Sequence, residues 1–225
     1  MSQDSPREAR ASLYEGLQAE HGNTLKGLGY SSERSQRVRF DAFARFIDFR
    51  GSSVLDVGCG FGDFLVYLDN LECAPRHYCG VDLSEPTIER ARQRHRDDSR
   101  ATFVSGYLEA MPADAVPQAD YVVISGSLNW HARSVEEHTR VVESVLLSSW
   151  ARCGKALAFN MMNAYGIDRH ADAPRLRAQI ANYDPAHWLA FTMRNCSPRV
   201  VCVSDYHDID FTIIAFRHDL PAGVA

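Results

Sequence analysis

Apolar residues in this chain follow two alternating spacings. Short apolar runs recur at Val54-Leu55 with Val57, Tyr78 to Leu83, Phe103-Val104, Tyr121 to Ile124, and Leu157 to Met161. Such runs predict strands buried on both faces, as a parallel sheet requires. Between them the apolar positions fall every three or four residues: Phe64, Leu65, Tyr67, Leu68 and Leu71, then Ile88 and Ala91, then Val141, Val142, Val145 and Leu146. That spacing predicts helices with one face on the sheet. Ahead of the first strand, residues 7–20 carry Ala11, Leu13, Tyr14 and Leu17 as an amphipathic pattern. Ser32 opens a second helix to about Phe49, with Val38, Phe40, Phe43, Phe46 and Ile47 as its stripe. After the fifth strand, residues 163–183 form a polar, aromatic-rich segment longer than a usual strand–helix connection. Asp184-Pro185 caps a helix to about Asn195, and strands are predicted at 197–203 and 208–216. Alternating strands and helices predict a single α/β domain with a doubly wound sheet.

The end of the first strand changes character. Asp56-Val57-Gly58-Cys59-Gly60-Phe61-Gly62 places three glycines at every second position between strand and helix. Glycine there lets the backbone pass close under a ligand and take positive φ. The spacing is not the G-x-G-x-x-G of dinucleotide folds, and no Gly-Lys-Ser/Thr follows, which excludes a Walker loop. The second strand closes on Asp82-Leu83-Ser84, an acid about 20 residues beyond the glycines, where a ribose-binding carboxylate belongs.

Asp56 to Gly62 together with Asp82 resembles motifs I and II of the class I S-adenosylmethionine (SAM)-dependent methyltransferases, a likeness extending over roughly residues 35–217. The resemblance implies a Rossmann-like seven-stranded sheet whose last strand is antiparallel, with SAM as cofactor. It implies residues 1–34 as an N-terminal lid or cover and 35–225 as the SAM-binding domain. Cofactor contacts are then expected from Asp56, Gly58, Cys59, Gly60, Asp82, Leu83, Gly106, Tyr107 and Ser125. One position departs from the pattern. Relatives often carry an Asp after the third strand to accept the adenine amino group, and this chain has Gly106. Backbone groups of Gly106-Tyr107-Leu108 and apolar contact with Leu83 are expected to hold the base instead.

The fourth strand runs into Ser127-Leu128-Asn129-Trp130-His131, where the family's motif IV lies beside the sulfonium. The [N/D]-P-P-[Y/F] of base and glutamine N-methyltransferases is missing, which argues against both substrates. Asn129 offers a carbonyl oxygen to an amine or, equally, caps the strand end. His131 is a candidate general base or an ordinary surface residue. Tyr165 and Tyr183 are candidates for the second substrate's pocket, where an aromatic face near a sulfonium gains roughly 1–2 kcal/mol. Ser204, between the last two strands, is a candidate acceptor for an amine.

Composition narrows the partners. A net charge of −5 and a pI near 6.0 argue against a polyanion. Arg90, Arg92, Arg94 and Arg96 interleave with Glu85, Glu89, Asp97 and Asp98 and read as a solvated helix face, so nucleic acid is not expected. No long apolar run marks a membrane span, and the first residues lack a signal-peptide layout. Six cysteines without a C-x-x-C pair read as reduced thiols in a cytoplasmic protein. No metal-ligand spacing is apparent, and the oligomeric state is not encoded in any recognisable motif.

Leu28-Gly29-Tyr30-Ser31-Ser32, Tyr183-Asp184-Pro185, Ser197 to Val201, and Asp205-Tyr206 with Phe211-Thr212 are similar to a bacterial branch of small-molecule methyltransferases. That branch includes azetidine-2-carboxylate synthases, which cyclise SAM and release methylthioadenosine. Three functions therefore stand open: methyl transfer to a small molecule in secondary metabolism, intramolecular cyclisation of SAM, and an RNA-modifying or non-catalytic SAM-binding module.

Overall fold

The computed structural model describes residues 6–22, 24–130 and 134–218, with side chains described from Arg10 onward. Seven strands form one sheet in the order β3-β2-β1-β4-β5-β7-β6. Strands β1 (Ser53–Val57), β2 (His77–Asp82), β3 (Ala101–Ser105), β4 (Ala119–Ile124) and β5 (Cys153–Met162) run parallel. β7 (Asp210–Phe216) is antiparallel to both β5 and β6 (Val200–Val203). The sheet reverses winding between β1 and β4, the switch point beyond which doubly wound folds hold ligands.

Alternation along each strand sends side chains to two cores. Leu55, Val57, Val122, Ile124, Leu157, Phe159, Phe211 and Ile213 pack on one face beneath α5 (Val135–Ala151) and α8 (Pro185–Asn195). Val54, Val123, Ala156, Ala158 and Ile214 pack on the other, beneath α2 (Glu33–Ala44), α3 (Asp63–Asn70) and α4 (Glu85–Arg94). Burying each large apolar side chain contributes about 1.5–3 kcal/mol, so the helices are held chiefly by these two layers. On the second face Phe64 meets Phe40 at 5.0 Å and Phe49 at 5.3 Å between centroids, tying α3 to α2 and to the turn before β1.

Helix starts follow their caps. Ser32 forms a capping box with Ser35, Ser84 accepts from Thr87 N, and Asp184 accepts from Ala186 N. α2 ends at Ala44, five residues before the expected Phe49, because the chain turns there so that Ile47 and Phe49 enter the core. Residues 163–183 are not a plain loop. They hold α6 (Ala164–Asp168) and α7 (Ala173–Gln179), too short for apolar periodicity to reveal.

α1 (Pro6–His21) lies across the carboxyl ends of the strands and touches α5. Leu13, expected on its apolar stripe, is 38% exposed, while Arg10 is buried. A buried ion pair joins α2 to the sheet: Arg39 Nη2 lies 2.8 Å from Asp210 Oδ2, with the Asp210 side chain wholly inaccessible. The six cysteines are unpaired. Among the described residues no helix is long and apolar enough to cross a membrane.

Candidate functional site

A cleft opens beyond the carboxyl ends of β1, β2 and β4 and is roofed by α1. Three surfaces build it, each for a local reason.

The floor is the glycine turn after β1. Gly58, Gly60 and Gly62 have φ of 78°, 55° and 76°, the left-handed region that a Cβ disfavours. A Cβ on Gly58 would fall on Ser127, and one on Gly60 would approach Leu28 Cδ1 at 2.9 Å. Gly58 N and Cys59 N donate to Val81 O, stitching the turn to β2. Asp56 is buried beneath and accepts from the Tyr78 hydroxyl. Burial raises its pKa to about 7, partly offset by the Tyr78 hydrogen bond. Burial likewise pushes the Cys59 thiol well up, so it is not a ready nucleophile.

The side wall comes from β2 and β3. Asp82 accepts from Gly60 N at 3.1 Å and from Ser84 N at 3.1 Å, one to each carboxylate oxygen. Each oxygen retains a further lone pair, so two vicinal hydroxyls are within its capacity. Burial raises the Asp82 pKa, and the backbone N–H groups of Ser84 and Gly60 oppose that rise. Leu83, Gly106, Leu108 and Glu109 complete this wall.

The far wall is the end of β4. Asn160, fully buried on β5, accepts from Gly126 N at 2.8 Å and donates to Ser125 Oγ at 3.3 Å. The Tyr30 hydroxyl donates to Ser125 O at 3.0 Å. Gly126 has φ of 69°, and a Cβ there would stand 2.7 Å from that hydroxyl, so the glycine admits Tyr30. Burial raises the Tyr30 pKa to about 12, with Arg39 opposing, so the phenol stays neutral.

Eight of the expected cofactor contacts line this cleft: Asp56, Gly58, Cys59, Gly60, Asp82, Leu83, Gly106 and Ser125. Tyr107 does not, and its ring instead lies 4.8 Å from the Arg10 guanidinium. Asn129 is not on the wall either. Its Oδ1 accepts from Met162 N at 3.1 Å and its Nδ2 donates to Gly126 O at 3.5 Å, which is the strand-end cap. Tyr165 is 59% exposed and lines a separate depression with Arg169 and His170. Ser204 is exposed after β6, away from the cleft lining. Tyr183 is buried against Trp188 and bonds Leu128 O and His138 Nε2, a packing role. His131 lies outside the described residues.

Sequence reasoning missed Arg10, Tyr14, Gln18, Tyr30 and Glu109, all of which line the cleft. The first three stand at i, i+4 and i+8 on α1, a polar stripe legible in the sequence but overshadowed by its apolar neighbours. Among the described residues no group of three or more His, Cys, Asp or Glu side chains is gathered as a metal site.

Known proteins resemble the chain in sequence and in fold. Residues 54–147 match the family model of a methyltransferase domain. The Mycobacterium tuberculosis protein Rv1506c, which carries a provisional methyltransferase name, is 29% identical over 163 residues, covering 72% of this chain and 91% of that protein. Magnesium protoporphyrin IX methyltransferase from Synechocystis PCC 6803, solved with bound SAH, superposes with a TM-score of 0.66 at 13% identity, covering 93% of this chain and 100% of the other. The N-methyltransferase NodS from Bradyrhizobium japonicum WM9, in complex with S-adenosyl-L-homocysteine (SAH), gives 0.63 at 12%, covering 91% and 97%. At those identities the likeness is one of fold.

Proposed function

We propose that this chain is a class I methyltransferase that binds S-adenosylmethionine in the roofed cleft and transfers its methyl group to a small-molecule acceptor. The observation that carries the reading is the pairing of the left-handed glycine turn with Asp82, whose carboxylate is fixed by Gly60 N and Ser84 N in the same cleft. The residues present fit the cofactor: the backbone of the Gly58–Gly60 turn faces the cleft where its aminoacyl end would lie, Asp82 would accept ribose hydroxyls, and Leu83 with Gly106 would flank its base. When bound, the cofactor supplies an electrophilic methyl on a sulfonium.

What the chain contributes is mainly positioning, the term that counts most in an in-line displacement. Glu109 and Asp63 are paired with Arg10 and Arg94, and burial raises the Asp56 pKa to about 7, so Asp82 is the carboxylate that the cleft offers to a cationic ligand. The neutral Tyr30 phenol and Ser125 Oγ stand at the β4 end and can orient an acceptor's lone pair. Roofing by α1 excludes water and strengthens these interactions.

A second reading is the intramolecular reaction, in which the amine of SAM displaces the sulfonium at Cγ to give azetidine-2-carboxylate and methylthioadenosine. Its support is the aromatic lining: Tyr14 and Tyr30 both face the cleft, taking up wall that methyl transfer would need for an acceptor. Incubation of the purified chain with SAM alone separates the readings. Intact, calorimetrically bound SAM fits methyl transfer, and methylthioadenosine with a cyclic amino acid fits cyclisation. Binding with no turnover in any extract marks a binding module, RNA labelling by methyl-tritiated SAM marks RNA modification, and no binding overturns the cofactor assignment.

A further inference from the structure

The roof carries a connection that methyl transfer does not itself require. Arg10 Nη2 pairs with Glu109 Oε1 at 3.0 Å, joining residues 99 positions apart, and the two side chains are 8% and 5% exposed. The guanidinium also lies 4.8 Å from the Tyr107 ring and 5.6 Å from the Trp130 ring, so it is stacked as well as paired. Two turns along the same stripe, Gln18 donates to the Thr87 hydroxyl on α4. α1 is thus fastened at both ends of the cleft. Arg10 Nε is buried with no hydrogen-bond partner.

A nucleoside reaching from Gly106 to the glycine turn would lie beneath a helix fastened in this way. Lifting that roof hydrates Arg10 and Glu109 together and unstacks the guanidinium. A buried ion pair resists partial opening, because either charge left alone in the interior is strongly penalised. Opening is therefore all-or-none.

We propose that Arg10 is a cofactor-positioning residue and that its pair with Glu109 is a latch: α1 lifts to admit the sulfonium nucleoside, and the pair re-forms over it. Arg10 Nε then donates to an acceptor atom of the bound ligand. The latch rests on the cofactor reading above. It makes escape of the nucleoside, including the spent one after transfer, conditional on breaking the pair.

SAH tests this without any acceptor. Trp130 lies against Arg10, so stopped-flow tryptophan fluorescence follows closure. Glu109→Gln and Arg10→Met are expected to raise the SAH dissociation rate at least about tenfold and to speed association as well, because entry and exit pass through the same unlatched state. Hydrogen exchange supplies the second measurement: SAH is expected to slow exchange of the α1 amides in the unaltered chain and to lose that effect in both variants. Dissociation within about twofold of the unaltered chain, or α1 exchange indifferent to SAH in the unaltered chain, overturns the latch and leaves the cofactor reading standing. An unaltered chain that binds no SAH in calorimetry removes the cofactor reading and the latch together.

Discussion

Gly58→Ala probes the floor of the cleft most directly, because two separable penalties meet at one atom. The residue sits at φ 78°, where an L side chain costs roughly 1–2 kcal/mol. The added Cβ would also stand 2.5 Å from Ser127 Oγ and closer still to Ser127 Cβ, an overlap that overpacking studies put at about 1–3 kcal/mol. The sum, about 2–5 kcal/mol, should lower the melting temperature by roughly 4–20 °C for a domain of this size. Ser127→Gly removes the obstacle but not the φ cost. Alone it loses the Ser127 Oγ bond to Val57 O, worth about 1 kcal/mol, and about another 0.5–1 kcal/mol of backbone entropy. The double variant should therefore be more stable than the sum of the singles by about 1–3 kcal/mol. Urea unfolding of the four proteins measures this coupling. Additivity within about 0.5 kcal/mol would refute the claim that Gly58 is a glycine because Ser127 lies over it.

Other consequences can be checked with the same preparations. Asp82→Asn should weaken SAM binding in calorimetry by at least about tenfold, because one ribose-facing carboxylate oxygen becomes a donor; unchanged affinity would detach Asp82 from the sugar. Asn129→Ala should leave SAM affinity nearly intact but cost about 1–3 kcal/mol in urea unfolding, since Met162 N loses its acceptor. Arg39→Met should cost about 3–5 kcal/mol by leaving Asp210 buried with His207 Nδ1, 3.4 Å away, in place of the guanidinium, and Arg39→Met with Asp210→Leu should recover much of it. For Asp56 the folded-state pKa of about 7 lies above the ordinary carboxylate value, so the folded chain holds a proton that the unfolded chain releases. Its contribution is therefore complete at acid pH and falls as pH rises from about 4 to 7. Asp56→Asn should flatten that part of the stability–pH curve, and an unaltered slope would place the ionised form in the native state.

Most of the scaffold could be read from the sequence because it rests on local rules. Ala101–Ser105 and Ser53–Val57 stand where the apolar runs put them, and Ser32, Ser84 and Asp184 cap the helices they precede. The glycine turn and Asp82 were legible for the same reason, since a special backbone and a strand-end acid are written in adjacent residues. The roof was harder. Arg10 meets Glu109 through tertiary packing, and nothing near either residue signals a partner 99 positions away. Asn129 carries both readings in the sequence, an acceptor for an amine or a strand-end cap; an amide at a strand end has backbone groups within reach, and here Met162 N and Gly126 O engage it. Tyr165 and Ser204 sit on connections whose course depends on α6, α7 and the β6–β7 hairpin, and short elements like these leave no periodic trace.

The Arg39–Asp210 pair also bears on how the chain matures. Its partners are 171 residues apart, and β7, which carries Asp210, is threaded between two strands made before it. While a ribosome is still translating that region, Arg39 has no counter-ion at its burial site and β5 has a bare edge. Arg39, whose guanidinium lies 5.4 Å from the Tyr30 ring, gains its counter-ion only when β7 slots in, so nucleoside capture should begin only after synthesis has passed Phe216. Nascent chains stalled before β7 should leave SAH in solution.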